Sequence, residues 1–236
     1  MSRDLASPRN EKLPATFAIV PVKRLSEAKS RLAPLLSENE RRRFCLAMLK
    51  DVLKAVRNTN DIHRAVVVSR DPHVLQVAKK CSAYPLEESR SGLNQAISEA
   101  IKWCINMAAK GALILPADIP LTSAQDLDQI LFLGRESPMV LCPSRAGDGT
   151  NALLLNPPRA IMTFYGRYSF RRYVKEASKR GMRYCVHRSP RIALDIDTIK
   201  DLSDFVAMKA EKTYACKFLM KLGIRERLSS ISSSSN

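Results

Sequence analysis

The chain has 236 residues, room for one large α/β domain or two small ones. Its 45% apolar and 26% charged residues describe a globular chain, and no apolar run approaches the roughly 20 residues a membrane helix needs. The formal charge of +16 raises the question of nucleic acid, yet no recognition helix, zinc finger or aromatic-basic RNA motif accompanies it, so small anions or a surface partner are the expected readers of that charge.

In chain order, residues 1–14 are polar with no apolar core behind their basic residues, which predicts a flexible start, no secretory signal and a cytoplasmic setting. Strands are predicted at 17–21, 65–69, 112–116, 139–143, 152–155, 183–187 and 192–196, alternating with amphipathic helical stretches. That order, βαβαβαβ and then a more irregular β-rich half, predicts an α/β fold with helices on both faces of a mainly parallel sheet, a single domain over 15–211. Helix starts are announced by the capping-box spacing of Ser37 and Glu40, by Asp71 before Pro72, and by Thr198 with Asp201 in the first turn. A C-terminal helix is expected over 212–227, its stripe of Tyr214, Phe218, Leu219 and Leu222 covering either its own domain or a second subunit, with a disordered serine-rich tail over 228–236. The 6 cysteines are scattered without a Cys-x-x-Cys pair, which predicts reduced thiols instead of a zinc site or disulfide frame.

Open α/β sheets bind ligands beyond the carboxyl ends of their strands, and four such places carry polar groups. After the first strand come Lys23, Lys29 and Arg31, able to hold a triphosphate or simply to be solvated; the segment has no glycine and is not a Walker loop. After 112–116 stands Asp118 between Pro116 and Pro120, suited to a hard cation such as magnesium or to capping a helix near Thr122. Asp195 and Asp197 alternate at the end of 192–196, so at most one faces the same ion as Asp118. Asp197 is preferred, because Thr198 already offers a helix cap. The segments Ser91-Gly92-Leu93-Asn94, Gly147-Asp148-Gly149-Thr150-Asn151 and Tyr165-Gly166-Arg167-Tyr168-Ser169-Phe170 can present amides and small polar groups to a ligand, or serve as ordinary turns.

Taken together, Pro21-Val22-Lys23 with Lys29-Ser30-Arg31-Leu32, Gly92-Leu93-Asn94, Leu115-Pro116-Ala117-Asp118-Ile119-Pro120-Leu121, Gly149-Thr150-Asn151, Tyr165-Gly166 with Ser169-Phe170, and Leu194-Asp195-Ile196-Asp197-Thr198 resemble the 2-phospho-L-lactate guanylyltransferase family, over about residues 17–206. The resemblance implies a Rossmann-like, three-layer αβα nucleotidyltransferase fold (GT-A-like) with a mainly parallel mixed sheet. It implies transfer of GMP from GTP to 2-phospho-L-lactate, giving lactyl-2-diphospho-5'-guanosine and pyrophosphate in the biosynthesis of the deazaflavin coenzyme F(420), with phosphoenolpyruvate as acceptor in some relatives. By the same resemblance Asp118 and Asp197 hold Mg2+, and Lys23, Lys29 and Arg31 face the phosphates and complete the catalytic set with Asp118. Gly92, Leu93, Asn94, Pro116 and Ala117 would lie along the nucleotide, and Thr150, Gly166 and Ser169 would receive the acceptor. The family's glycine before Ser-Phe is here Tyr168, a frequent histidine is Tyr173, and a proline after Asp-Thr is Ile199. Other readings remain: the same chemistry on another phosphorylated acceptor, or a non-catalytic basic module for RNA or protein. A homodimer is the expected assembly, the C-terminal helix being one candidate face for it.

Overall fold

Along the first strand, β1 (Thr16–Pro21), Phe17 and Ile19 point to one side and Ala18 and Val20 to the other, and all four are buried. A strand covered on both faces belongs in the middle of a sheet, and that is where β1 lies. The computed structural model describes residues 15–233 except Arg90 and Lys209, so the expected flexible start, 1–14, and the last three residues of the expected tail lie outside the described residues. β1 pairs in parallel with β2 (Ile62–Ser69) on one side and with β4 (Gly111–Ile114) on the other, and β3 (Tyr84–Glu87) adds parallel to β2. β6 (Thr150–Leu155) runs antiparallel to both β4 and β5 (Met139–Pro143), and β7 (Cys185–Val186) is parallel to β5. The sheet order is β3-β2-β1-β4-β6-β5-β7. The chain thus winds outward from β1 to β3 and then restarts at β4 on β1's other side. That reversal opens a crevice past the carboxyl ends of β1 and β4, where ligands of such sheets settle.

Helices cover both faces. On the Ala18/Val20 side lie α1 (Glu38–Arg57), α2 (Pro72–Lys80), α4 (Ala124–Leu133) and α7 (Ile199–Ala207), packing Phe44, Val74, Ile130 and Phe205 into one cluster. On the Phe17/Ile19 side α3 (Leu93–Asn106) and α5 (Ser169–Lys179) bury Ile97, Ile101 and Tyr173. This is the expected α/β architecture of a mixed, mostly parallel sheet between two helical layers. The local start signals hold: Ser37 and Glu40 close a capping box on α1, Thr198 and Asp201 do so on α7, and Asp71 caps α2 ahead of Pro72.

Three expectations are corrected. Residues 192–196 are not a strand: Ser189 accepts the Ile192 amide and Pro190 occupies the first helical turn, so Pro190–Ala193 forms the short helix α6. The Leu194–Asp197 stretch that follows is held by the Asn151 side chain on the Ile192 carbonyl and by the Ile196 amide on the Asp118 carbonyl, not by a ladder. The C-terminal helix is two helices, α8 (Tyr214–Lys221) and α9 (Ile224–Ser233), parted at Gly223, whose φ of 62° is left-handed and stops the first. Helix α9 therefore occupies 228–233, which the sequence assigns to the tail. Strand β3 has no counterpart among the predicted strands.

The apolar stripe of α8 packs on its own chain. Leu219 and Cys216 are in the core, Phe218 stacks on Phe44 with ring centroids 6.4 Å apart, and the buried Asp51 of α1 accepts the Tyr214 and Ala215 amides at 2.7 and 2.8 Å. No helix among the described residues is long and apolar enough to cross a membrane, and all six cysteines are free thiols.

Candidate active site

The loop leaving β1 folds over the crevice as two single 3-10 turns, Leu25–Glu27 and Ser30–Leu32. Leu25 and Leu32 are driven into the core, and the Leu25 amide donates to the Asp71 carboxylate at 3.0 Å. Burial alone would raise Asp71, but the amides of Leu25 and His73 hold it below the usual carboxylate range, so it stays charged as an anchor. Between the two turns, Lys29 takes a left-handed conformation, φ 55° and ψ 39°, uncommon for a residue with a side chain. That twist aims its ammonium inward. Lys29 Nζ donates to Asp118 Oδ2 and to Asp197 Oδ1, both at 2.6 Å, with the lysine side chain only 8% exposed. Burial works against that ammonium, but the two carboxylates outweigh it and hold Lys29 above the ordinary lysine range.

Asp118 and Asp197, 79 positions apart in sequence, arrive from separate elements. Asp118 follows β4 and Asp197 precedes α7, and the Ile196 amide on the Asp118 carbonyl, 3.0 Å, ties the two segments together. Neither caps a helix: α4 is capped by Ser123 and α7 by Thr198. Asp195 points elsewhere, accepting from Asn151 Nδ2 at 3.0 Å; burial, with the Asp118 and Asp197 charges, holds it above its ordinary value against that hydrogen bond.

Around the cluster lies a groove of about 370 Å³, whose lining brings together Lys23, Lys29, Leu93, Asp118, Thr150 and Asp197 with the Pro116 and Ala117 backbone that leads out of β4. A second groove, about 310 Å³, opens beside it toward β2 and β3, lined by Gly92, Leu93 and Lys23 among others. Three of the expected residues line neither groove but support them. Asn94 donates from Nδ2 to the Tyr165 carbonyl at 2.9 Å and accepts the Tyr165 amide at 2.7 Å, strapping the start of α3 to the loop before α5. Ser169 is buried and donates to Thr150 Oγ1 at 3.2 Å, and its amide donates to the Gly166 carbonyl. Gly166 has a φ of 124° and open space where a Cβ would stand, so its glycine serves backbone conformation. Arg31 is exposed on the second 3-10 turn and lines neither groove. Tyr168, the residue at the family's glycine position, takes φ 59° and stacks under Arg167, 4.8 Å from its ring centroid.

Sequence reasoning missed Arg70, Glu88, Cys45 and the orienting role of Asn151. Cys45 lines the reaction groove, with burial pushing its thiol up to about 11, too high for a nucleophile near neutrality.

Among the described residues no group of three or more His, Cys, Asp or Glu is placed to hold a metal. Two carboxylates are present, and magnesium commonly takes one or two of these with water and substrate phosphate completing its oxygen shell. Their oxygens converge on one point already occupied by a cation, the Lys29 ammonium, and that donor set fits a hard divalent ion.

The chain matches the family described as Guanylyl transferase CofC like over residues 16–235. It belongs to that family. A 2-phospho-L-lactate guanylyltransferase of Methanocaldococcus vulcanius is 37% identical over 88% of this chain and 91% of its own length. A phosphoenolpyruvate guanylyltransferase of Rubrobacter xylanophilus is 40% identical over 80% of this chain and 92% of its own. In fold the chain is similar to a protein described as a nucleotide-diphospho-sugar transferase from Desulfovibrio desulfuricans, with a TM-score of 0.73 at 12% identity over 90% of this chain and 97% of that one. It is also similar to a nucleotidyl transferase from Methanothermobacter thermautotroptrophicus, with a TM-score of 0.63 at 14% identity over 84% of this chain and 99% of that one. Membership identifies a nucleotidyltransferase enzyme and sets aside the non-catalytic binding module.

Proposed function

We propose that this CofC-like enzyme moves GMP from GTP to 2-phospho-L-lactate, forming lactyl-2-diphospho-5'-guanosine and pyrophosphate, a step in making coenzyme F(420). The observation that carries the reading is the convergence of Asp118 and Asp197 on Lys29 at the mouth of the crevice. A phosphate oxygen of the acceptor attacks the α-phosphorus of GTP; the new P–O bond forms as the bond to pyrophosphate breaks, and the displaced oxygen leaves as a phosphate oxygen. That nucleophile is ionised near neutrality, so no general base is required. The difficulty is repulsion between two anions, which positioned cations and hydrogen-bond donors relieve.

Asp118 and Asp197 would hold magnesium, which when bound neutralises phosphate charge. Lys23 at the junction of the grooves, with Lys29, meets the triphosphate, and Arg31 can act only by reaching over from the loop's outer side. Leu93, Gly92 and the Pro116-Ala117 backbone flank the nucleotide. Thr150, with Ser169 behind it and the Gly166 turn held by Asn94, receives the acceptor's carboxylate or phosphate. Phosphoenolpyruvate is the second acceptor reading, favoured by the Rubrobacter relative's name. The six free thiols suit a reducing, cytoplasmic setting. Because α8 turns its apolar stripe to α1, a homodimer would have to form through another face.

The test is pyrophosphate release from GTP with magnesium and either 2-phospho-L-lactate or phosphoenolpyruvate, with product masses recorded. Product of the lactyl-diphosphoguanosine mass supports the first reading, product from phosphoenolpyruvate alone selects the second, and no guanylylated product with either acceptor sinks both.

A further inference from the structure

The second groove has a chemistry of its own. Its walls set the apolar Val22, Val68, Leu93 and Ala96 among charged side chains, and it meets the reaction groove at Pro21, Val22, Lys23, Glu27 and Leu93. A nucleotide whose triphosphate lies by Lys23 and Lys29 must extend its base to one side of that junction. The side beyond Asp118 carries Thr150 and Asn151, whose polar groups suit a small acid; the side toward β2 and β3 joins the apolar contacts of Val22, Val68, Leu93 and Ala96 to charged groups, and a purine, with apolar faces and polar edges, can use both.

Glu88 lines this second groove and not the first. Its amide donates to the Ser69 carbonyl at 3.1 Å, fixing its main chain to the end of β2, and its Oε1 accepts the Gly92 amide at 3.1 Å. Arg70 braces the same turn, donating to the carbonyls of Glu88 and Ser89 at 3.4 and 3.0 Å. The carboxylate is therefore oriented before any ligand arrives. Among the described residues no hydrogen bond or ion pair engages its Oε2, although Lys23, Arg24 and Arg70 line the groove. Glu27, the other acid of this groove, is exposed and sits at the junction, beside the phosphates instead of the base.

We propose that Glu88 is the guanine-reading residue: its carboxylate accepts the N1–H and 2-amino donors that guanine presents side by side and adenine does not. The proposal rests on the guanylyl-transfer reading above. A carboxylate offers only acceptors, so it matches the paired donors of guanine, is half-satisfied by hypoxanthine, which lacks the amino group, and faces the bare N1 acceptor of adenine. A site built on such hydrogen bonds rejects bases that leave its acceptors unpaired.

The test is equilibrium binding and kcat/KM for GTP, ITP and ATP in the wild type and Glu88→Gln. Glutamine keeps an oxygen for the Gly92 amide, so an unchanged melting temperature verifies that the turn survives. The wild type is expected to favour GTP over ITP by about 10- to 100-fold, and Glu88→Gln to lose most of that for GTP while changing ITP little, so that the ratio collapses toward one. A GTP to ITP ratio in Glu88→Gln within about two-fold of the wild-type value, or no GTP preference in the wild type at all, would overturn the assignment. Wild-type protein that shows the expected binding ratios yet releases no pyrophosphate would support Glu88 and sink the transfer reading instead.

Discussion

Replacing Lys29 with methionine keeps most of the apolar stem, one atom shorter, and removes the charge that holds Asp118 and Asp197 together. In the absence of metal, two carboxylate oxygens, each 2.6 Å from the vanished nitrogen, are left facing one another. Removing one partner from a buried ion pair costs about 3–5 kcal/mol; here Asp118 and Asp197 are 27% and 50% exposed, and water relieves part of the strain, so about 2–3 kcal/mol is expected. For a domain of this size that lowers Tm by about 5–10 °C. A divalent cation that takes the lysine's place should then stabilise the variant more than the wild type, and at a hundred times its Kd that gain reaches about 2.7 kcal/mol. The assay is thermal unfolding of both proteins without nucleotide, across a magnesium titration. A Lys29→Met variant that melts within about 2 °C of the wild type, or that melts low and gains nothing from magnesium, would refute the claim that the two aspartates form one cation site.

Asp118→Asn should lower guanylyl transfer by at least about 100-fold while lowering Tm less than Lys29→Met does, since Asp197 still pairs with the ammonium and backbone contacts set the segment's position; turnover near wild type removes Asp118 from the cluster's function. Asn94→Ala cuts both bonds to Tyr165 and should raise the KM for the acceptor more than for GTP, read from initial rates with each substrate varied. Burial pushes Asp51 up to about 6 against the pull of the Ala215 and Tyr214 amides. Its folded value lies above its unfolded one, so its stabilising contribution is present below about pH 4 and is lost as pH rises through about 6, on the order of 2 kcal/mol. Urea midpoints of wild type minus Asp51→Asn should therefore fall between pH 4.5 and 7, and a flat difference contradicts the shift. Arg227→Ala removes the paired contacts from α9 to Glu40 and should cost about 0.5–1 kcal/mol in the same unfolding assay.

How much of this was legible depends on how local each signal is. The caps at Ser37, Asp71 and Thr198 are settled by residues two or three positions away, and all three form as written. The stretch 192–196 alternates like a strand but has no sheet edge to join, because Asn151, distant in sequence, already occupies the carbonyls at its start. Alternation reports extended chain, and only tertiary neighbours decide whether a ladder follows. β3 carries Pro85, which demotes a strand pattern, yet an edge strand tolerates it, and β3 is the edge.

The same miss hid part of the site. Asp118 was readable because it follows a visible strand, and Asp197 because Thr198 frees it from capping. Glu88 follows β3; with that strand unseen, it had no carboxyl end to mark. What ties these positions together is a charge pattern that composition conceals. In a chain with a formal charge of +16, two aspartates, 118 and 197, meet on one buried lysine with Asp195 lining the same groove, and the basic residues Lys23, Arg24 and Arg70 stand along the second groove. A merely basic surface for nucleic acid would not gather acids around a lysine at the mouth of its crevice. An acidic pocket flanked by cations attracts a divalent ion and the polyphosphate that shares it, and the fold brings these groups together past the carboxyl ends of the paired strands β1 and β4.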